Sequence, residues 1–307
     1  MRLPNTIGEL TSKDRNSGGL WVSDVSLYLL WFEFLAISPS YELARRYRAG
    51  ECTSEDVFPT DFDLVLSVFD DLGDVQKRLF SLWWEDVGLT HFGYQGKPPT
   101  VTQVAYATHS EHAAPNLSGK VAEYFEGEWV YQGRQRTMLL AVPIGLPEGI
   151  INKQIKSQLA KVKPQQRELI KPKAKYPLVG KRHHKDALLR CLRLAWMRSV
   201  MYRKSLWRAG AEAEISDTYS PVLDPKLIQV SAGDRYDREM LTILASRALL
   251  RARMIAENAA RGRFPTHATC PNALKFDLKE LRTRINRRNI WLEPETKRFN
   301  REHGLQT

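Results

Sequence analysis

Apolar residues recur at helical spacing through most of this 307-residue chain, and glycines, prolines and polar clusters break the pattern into segments. Ser23 can cap a first helix that runs to Ile37. Its apolar stretch, Leu27 to Ile37, is 11 residues long and contains Glu33. That is too short to span a bilayer and reads as a buried helix. Ser38 followed by Pro39 predicts a second helix, stopped at Gly50, and Asp61 can cap a third. A fourth covers about Asp74 to Val87 and ends at Gly88. Trp83 and Trp84 are neighbours within it and cannot face one direction, so one is expected inside and the other against a second layer.

Residues 89–120 are rich in breakers and read as loop. Glu128 to Tyr131, then Gln132-Gly133-Arg134, then Thr137 to Ile144 has the form of a β-hairpin turning at Gly133. Pro147 starts a helix that reaches about Val162, with Ile151, Ile155 and Leu159 on one stripe. A basic strap with three prolines follows, from Lys161 to Lys185. Helical patterns then cover Lys185 to Arg208, Asp234 to Arg261 (stopped by Gly262 and Pro265) and Lys275 to Asn289, the last followed by Trp291. The expected fold is mainly α with a small β-hairpin insertion (α+β). Three regions are expected: an arm over 1–20, a Trp-rich helical region over 21–145 ending in the hairpin, and a helical region over 146–307. No internal repeat is visible.

Charge separates the last two regions. Residues 1–145 hold 12 Lys and Arg against 19 Asp and Glu; residues 146–307 hold 34 against 16. A basic half of this size attracts polyanions, of which nucleic acid is the commonest inside cells. The acidic half is expected to form the core, or to meet a protein partner or another copy. Cys52, Cys191 and Cys270 are far apart and have neither metal-ligand nor disulfide spacing, which fits a reducing, cytoplasmic setting. The N-terminus lacks a signal-peptide pattern, and no membrane partner is expected.

The segment 185–208 gives the sharpest candidate surface. Wound as a helix, it puts Leu188, Leu192, Ala195, Trp196, Ser199 and Leu206 on one arc, with Arg190, Arg193, Lys204 and Arg208 opposite. The first arc can pack on a core while the second meets phosphates or simply water. Lys181 and Arg182 in the strap extend that surface. Arg247 and Arg251 share an arc with Met240, Leu244 and Met254. Cations there need a partner, either a carboxylate of the acidic half or nucleic-acid phosphate. Arg282, Arg284, Arg287 and Arg288 with Trp291 combine cations and an aromatic, a mixture suited to single strands or to a solvated terminal helix.

Ser205 to Ser216, SLWRAGAEAEIS, resembles the first helix and turn of a helix-turn-helix, with Ala209 and Gly210 as the small residues at the crossing and Ser216 as the next cap. Pro221 and Pro225 would shorten its recognition helix, and an ordinary helix end remains the alternative. The 128–144 hairpin, with Arg134 and Arg136, could serve as a wing, though it precedes the helices. Three stretches, WFEFLAISPSYELARRYRAGE with DFDLVLSVFDDLGDVQKRLF, MLLAVPIGLPEGIINKQI, and ASRALLRARMIAENAARGRFP, resemble uncharacterised bacterial mobile-element and prophage proteins. The resemblance implies a bacterial setting and nucleic-acid business, without assigning site residues.

Enzyme signatures are sparse. His109 and His112 lack a third ligand, and Asp61, Asp63, Asp70, Asp71 and Asp74 are spaced as caps and a solvated face. Asp277-Leu278-Lys279 and Glu295-Thr296-Lys297 resemble nuclease carboxylate–lysine pairs but lack a preceding acid. The expected function is a non-enzymatic DNA-binding protein of a mobile element, phage or defence system, with no cofactor. An RNA-binding subunit of a ribonucleoprotein or multiprotein assembly is the alternative, and a metal-dependent nuclease a lesser one.

Overall fold

The computed structural model describes residues 16, 17, 19–107, 117–164, 170, 174–180, 182–227 and 231–303. It is mainly helical with a small antiparallel sheet. The described residues form two compact units, one from 24–92 and 175–303, the other from 16–23 and 93–174. The division expected at 145/146 falls inside the second unit. Charge changes there, but packing does not.

The first unit is built around α1 (Val25–Ile37). All thirteen of its residues are buried, so it has no wet face. Asp24 rather than Ser23 caps it, accepting the Ser26 N–H at 3.1 Å. α2 (Pro39–Arg48) starts as expected: Pro39 opens it, and the Ser38 hydroxyl accepts the Tyr41 N–H at 3.2 Å. α3 (Phe62–Leu72) follows Asp61, whose carboxylate makes no cap bond and is held elsewhere.

The fourth expected helix is replaced by three short pieces. Residues 74–79 are irregular; α4 (Phe80–Trp83) then passes into a π-helical turn, Trp84–Gly88, and α5 (Leu89–Phe92). The wider turn changes the facing of successive side chains, and both tryptophans end up fully buried. Their rings pack with Tyr28, Phe32, Phe80 and Phe92, including Trp84 against Tyr28 at 5.2 Å and Trp83 against Phe32 at 4.9 Å. Gly88 is part of that packing, because a Cβ there would stand 2.5 Å from a Trp84 ring carbon and 3.0 Å from one of Trp83. We expect Gly88→Ala to destabilise the fold by about 1–3 kcal/mol through overpacking. Denaturant unfolding followed by tryptophan fluorescence measures this, and an unchanged midpoint would refute it.

α9 (Lys185–Val200), α10 (Leu206–Glu212), α11 (Arg235–Ala259) and α12 (Leu278–Glu302) complete the unit. The single helix expected over 185–208 breaks after Met201, whose N–H makes the last helical bond to Met197, at a tight turn in which the Lys204 N–H returns to Met201. Leu194, Ala209, Ala213 and Ala245 form a small core where α9, α10 and α11 meet. Gly210 lies against Leu241 and Ala245, so small residues do stand at the crossing. No helix follows over 217–222: Ser216 caps a turn through Thr218 N–H and Tyr219 N–H, and α11 begins only at Arg235. α12 continues past Asn289 and contains Pro294.

In the second unit, β1 (Asn16–Ser17) pairs with β2 (Leu20–Trp21), and β2 with β3 (Tyr94–Gln95), all antiparallel. The hairpin thus lies at 16–21, across the end of the stretch 1–20 read as an arm. The hairpin expected at 128–144 is absent. α6 (Leu117–Glu126) and α7 (Glu128–Tyr131) lead instead into a helix-ending turn. Gly133 takes φ +78° and Arg134 φ +53°, and Arg134 N–H bonds back to Trp129 O at 2.9 Å. A left-handed glycine serves a helix end as readily as a hairpin, and the Trp129 indole favours the former by donating to Gln135 O at 2.6 Å. α8 (Glu148–Ala160) forms as expected.

Candidate nucleic-acid interface

The expected phosphate contacts separate into residues that hold the fold together and residues that face water. Arg284 and Arg288 belong to the first group. Both lie on the arc of α12 that carries Leu281, Ile285 and Leu292, and both are buried. Arg288 forms a two-pronged pair with Glu33 at 2.6 and 2.7 Å, over the Phe32 ring. This explains the single carboxylate in the apolar α1: its counter-charge comes from the other end of the chain. Arg284 donates to Ile37 O at 3.1 Å and Ser38 O at 3.2 Å, satisfying carbonyls at the end of α1. A guanidinium committed this way inside the protein is not open to phosphate, which corrects the expectation for these two.

A third buried cation, Arg261, is not among the site residues picked from sequence. It binds Asp61 at 2.7 and 2.9 Å and Glu257 at 3.1 Å. The Arg261 guanidinium holds the Asp61 carboxyl below its usual range. Three other acidic residues of that stretch also have partners: Asp70 pairs with Arg48, Asp71 with Lys175 and Tyr176, and Asp74 with the Gln76 N–H. Asp277 caps α12 through the Lys279 and Glu280 N–H groups, and Glu295 pairs with Arg298. Among the described residues, no three His, Cys, Asp or Glu side chains gather to hold a metal. His109 and His112 lie outside the described residues.

The remaining cations reach the surface. On α9, Arg190 pairs with Asp217 at 2.7 Å and Arg193 with Glu214 at 2.8 Å, both on the stretch after α10. These acids partly neutralise the arc that the sequence presents as purely basic. Arg208 lies over the Trp207 ring at 4.6 Å and donates to Pro225 O. Arg182, Lys204, Arg247, Arg251 and Arg287 are exposed, with no ion pair to a described residue. Arg247 and Arg251 therefore do not pair with a described carboxylate of the acidic half. The Arg251 charge acts on Cys191, whose thiol burial pushes up and Arg251 pulls down. Lys181 lies outside the described residues. Trp291 is half-buried.

One cluster joins cations to an aromatic. Tyr202, in the turn that ends α9, has the guanidinium of Arg203 at 5.3 Å from its ring centre and that of Arg282, from α12, at 5.8 Å. Both arginines are exposed and lack a carboxylate partner among the described residues. Lys204 follows directly, and its carbonyl and that of Met201 accept from Arg198, which braces the turn. α9 and α12 pack side by side and so bring 202–204 to 282. Tyr202 and Arg203 are not among the residues picked from sequence. The signal was the run Tyr202-Arg203-Lys204, masked by extending the helix through it.

No helix among the described residues is long and apolar enough to cross a membrane. No family model matches the chain, and neither curated proteins nor solved structures show a similarity to it.

Proposed function

We propose that the chain is a non-enzymatic nucleic-acid-binding protein, with DNA as its first ligand, that contacts phosphates through exposed cations of its C-terminal half. The observation that carries this reading is the Tyr202 cluster: Arg203 and Arg282 bring two guanidiniums to one aromatic ring, Lys204 follows in the chain, and none of the three has a carboxylate partner among the described residues. Cations without local carboxylates release counterions when they meet phosphate, which drives polyanion binding. Arg247, Arg251, Arg287 and Arg182 add to the same net-positive surface inventory. The aromatic at the centre supports a second reading, single-stranded DNA or RNA, in which a base stacks on Tyr202.

The test titrates duplex DNA, single-stranded DNA and RNA against the protein at several salt concentrations. We expect binding that weakens steeply with salt. The R203A/K204A/R282A triple variant should bind roughly 100-fold more weakly at ~0.1 M salt, and the salt slope should flatten by about one unit per cation removed. Tyr202→Ala should weaken single strands more than duplex if a base stacks there. Failure of the wild type to bind any of the three at low salt, or undiminished binding by the triple variant, overturns the proposal.

A further inference from the structure

A cleft of about 470 Å³ lies between α10 and the first turns of α11. Trp207 forms its α10 side, and Arg235, Arg238, Glu239, Thr242 and Ile243 form its α11 side. Positions 235, 238, 239 and 242 are three or four apart and fall on one stripe of the helix. The stripe is about 12 Å long from Arg235 to Ile243, at 1.5 Å per residue. The volume lies in the range of small-molecule sites. All six residues belong to the first unit.

The lining groups differ along the stripe. Trp207 is 8% exposed and packs with Ala211, Leu223 and Leu241. Its indole N–H has no hydrogen-bond partner among the described residues, and unlike that of Trp196 it is not sealed from solvent. Such a donor, on an otherwise buried side chain that lines a cleft, calls for an acceptor within the cleft. On the α11 side, Ile243 is 45% exposed and offers an apolar wall. The Thr242 hydroxyl donates to Arg238 O at 2.7 Å, which leaves its oxygen to accept. Toward the start of α11 the charge turns positive. Arg238 donates to Ser231 O at 2.6 Å but has no carboxylate partner among the described residues, and Arg235 pairs with Glu239 at 2.9 Å. Asp234 makes no side-chain cap bond, so the N-terminal dipole of a 25-residue helix adds to the two guanidiniums.

We infer that this cleft holds one nucleotide. Its phosphate meets Arg238 and Arg235 at the start of α11, and its base lies along Ile243 with a ring acceptor on the Trp207 N–H. A planar ring with acceptors and donors on its edge and an anion at one end uses every group in the cleft. Inorganic phosphate alone would leave the Trp207 donor and the Ile243 wall unused. A free mononucleotide and the terminal nucleotide of a strand offer the same chemistry. The site is separate from the Tyr202 cluster and does not rest on it.

Isothermal titration calorimetry of the full, nuclease-treated chain tests the inference, with nucleoside monophosphates, their nucleosides and inorganic phosphate as ligands. We expect at least one monophosphate to bind, and its nucleoside and inorganic phosphate to bind at least about tenfold more weakly. Arg238→Gln should weaken that monophosphate about tenfold. Trp207→Phe, which keeps a ring and removes the N–H, should weaken it about threefold or more. If circular dichroism shows that Trp207→Phe loses helix content, Arg238→Gln, on a partly exposed position, carries the test alone. R203A/K204A/R282A should bind the monophosphate as the wild type does, whatever its effect on long strands. A short oligonucleotide phosphorylated at its end separates the sources. If it binds more tightly than the monophosphate and is displaced by it, the site takes a strand end; if not, it takes the free nucleotide. No binding of any monophosphate at millimolar concentration overturns the inference. So does inorganic phosphate binding as tightly as the nucleotide, undiminished binding by Arg238→Gln, or loss of monophosphate binding in the Tyr202-cluster variant.

Discussion

Arg288→Ala should cost about 3–5 kcal/mol of folding stability, because it strands the Glu33 carboxylate inside α1 without a counter-charge. Glu33 is 2% exposed and Arg288 5%, so water cannot take over the lost bonds. Replacing both partners by apolar residues of similar length, Glu33→Leu with Arg288→Met, should recover most of the loss, since the desolvation cost of the pair disappears along with its attraction. Arg287→Ala, one residue earlier and on the wet side of α12, should stay within about 0.5 kcal/mol of the wild type. Chemical denaturation of the three variants measures this. If Arg288→Ala unfolds at the wild-type midpoint, the pair contributes nothing and Arg288 returns to the list of surface cations.

Glu257→Ala should do at least comparable damage, above about 4 kcal/mol, because it removes the acceptor for a set of buried donors. One carboxylate oxygen accepts from the Ser38 hydroxyl at 2.7 Å and Ser40 N–H at 3.1 Å. The other accepts from the Ser40 hydroxyl at 2.5 Å, Leu274 N–H at 3.0 Å and Arg261 at 3.1 Å. The side chain thus ties the end of α11 to the first turn of α2 and to the loop before α12. Its charge also sits well against the buried N–H groups of the α2 N-terminus. Glu257→Gln keeps the shape but turns one acceptor into a donor facing other donors, so its loss should be smaller than that of alanine and still clear. A glutamine variant as stable as the wild type would show that the charge is unimportant there.

These two residues mark what was legible in the sequence. The arithmetic that put Arg247 and Arg251 on an apolar arc also places Arg284 and Arg288 on the arc of Leu281, Ile285 and Leu292. In both helices it shows cations beside apolar residues. Only in α12 are those cations buried, because that arc meets α1, and α1 carries the one carboxylate that can receive Arg288. In α11 the C-terminal half is buried, while Arg247 and Arg251 stay in water. Periodicity gives an angle around a helix axis. It does not say how far along the helix the neighbours extend.

Local chemistry was enough to determine the helical class, the Ser38–Pro39 start of α2, the extent of α8 and α11, and the burial of α1. Each depends on residues a few positions apart: a cap, a stop, or a run of apolar side chains too long for any wet face. Tertiary structure alone decided the rest. Gly133 ends a helix instead of turning a hairpin because the Trp129 indole bonds across it, while the real hairpin pairs with residues more than seventy positions away. Trp83 and Trp84 are both inside because a π turn reorients them. Asp61 pairs with Arg261, 200 residues on, instead of capping α3. The Tyr202 cluster exists because α12 packs beside α9. Asp61 had a local use as a cap and a distant one with Arg261, and the distant one was favoured because it neutralises a buried guanidinium.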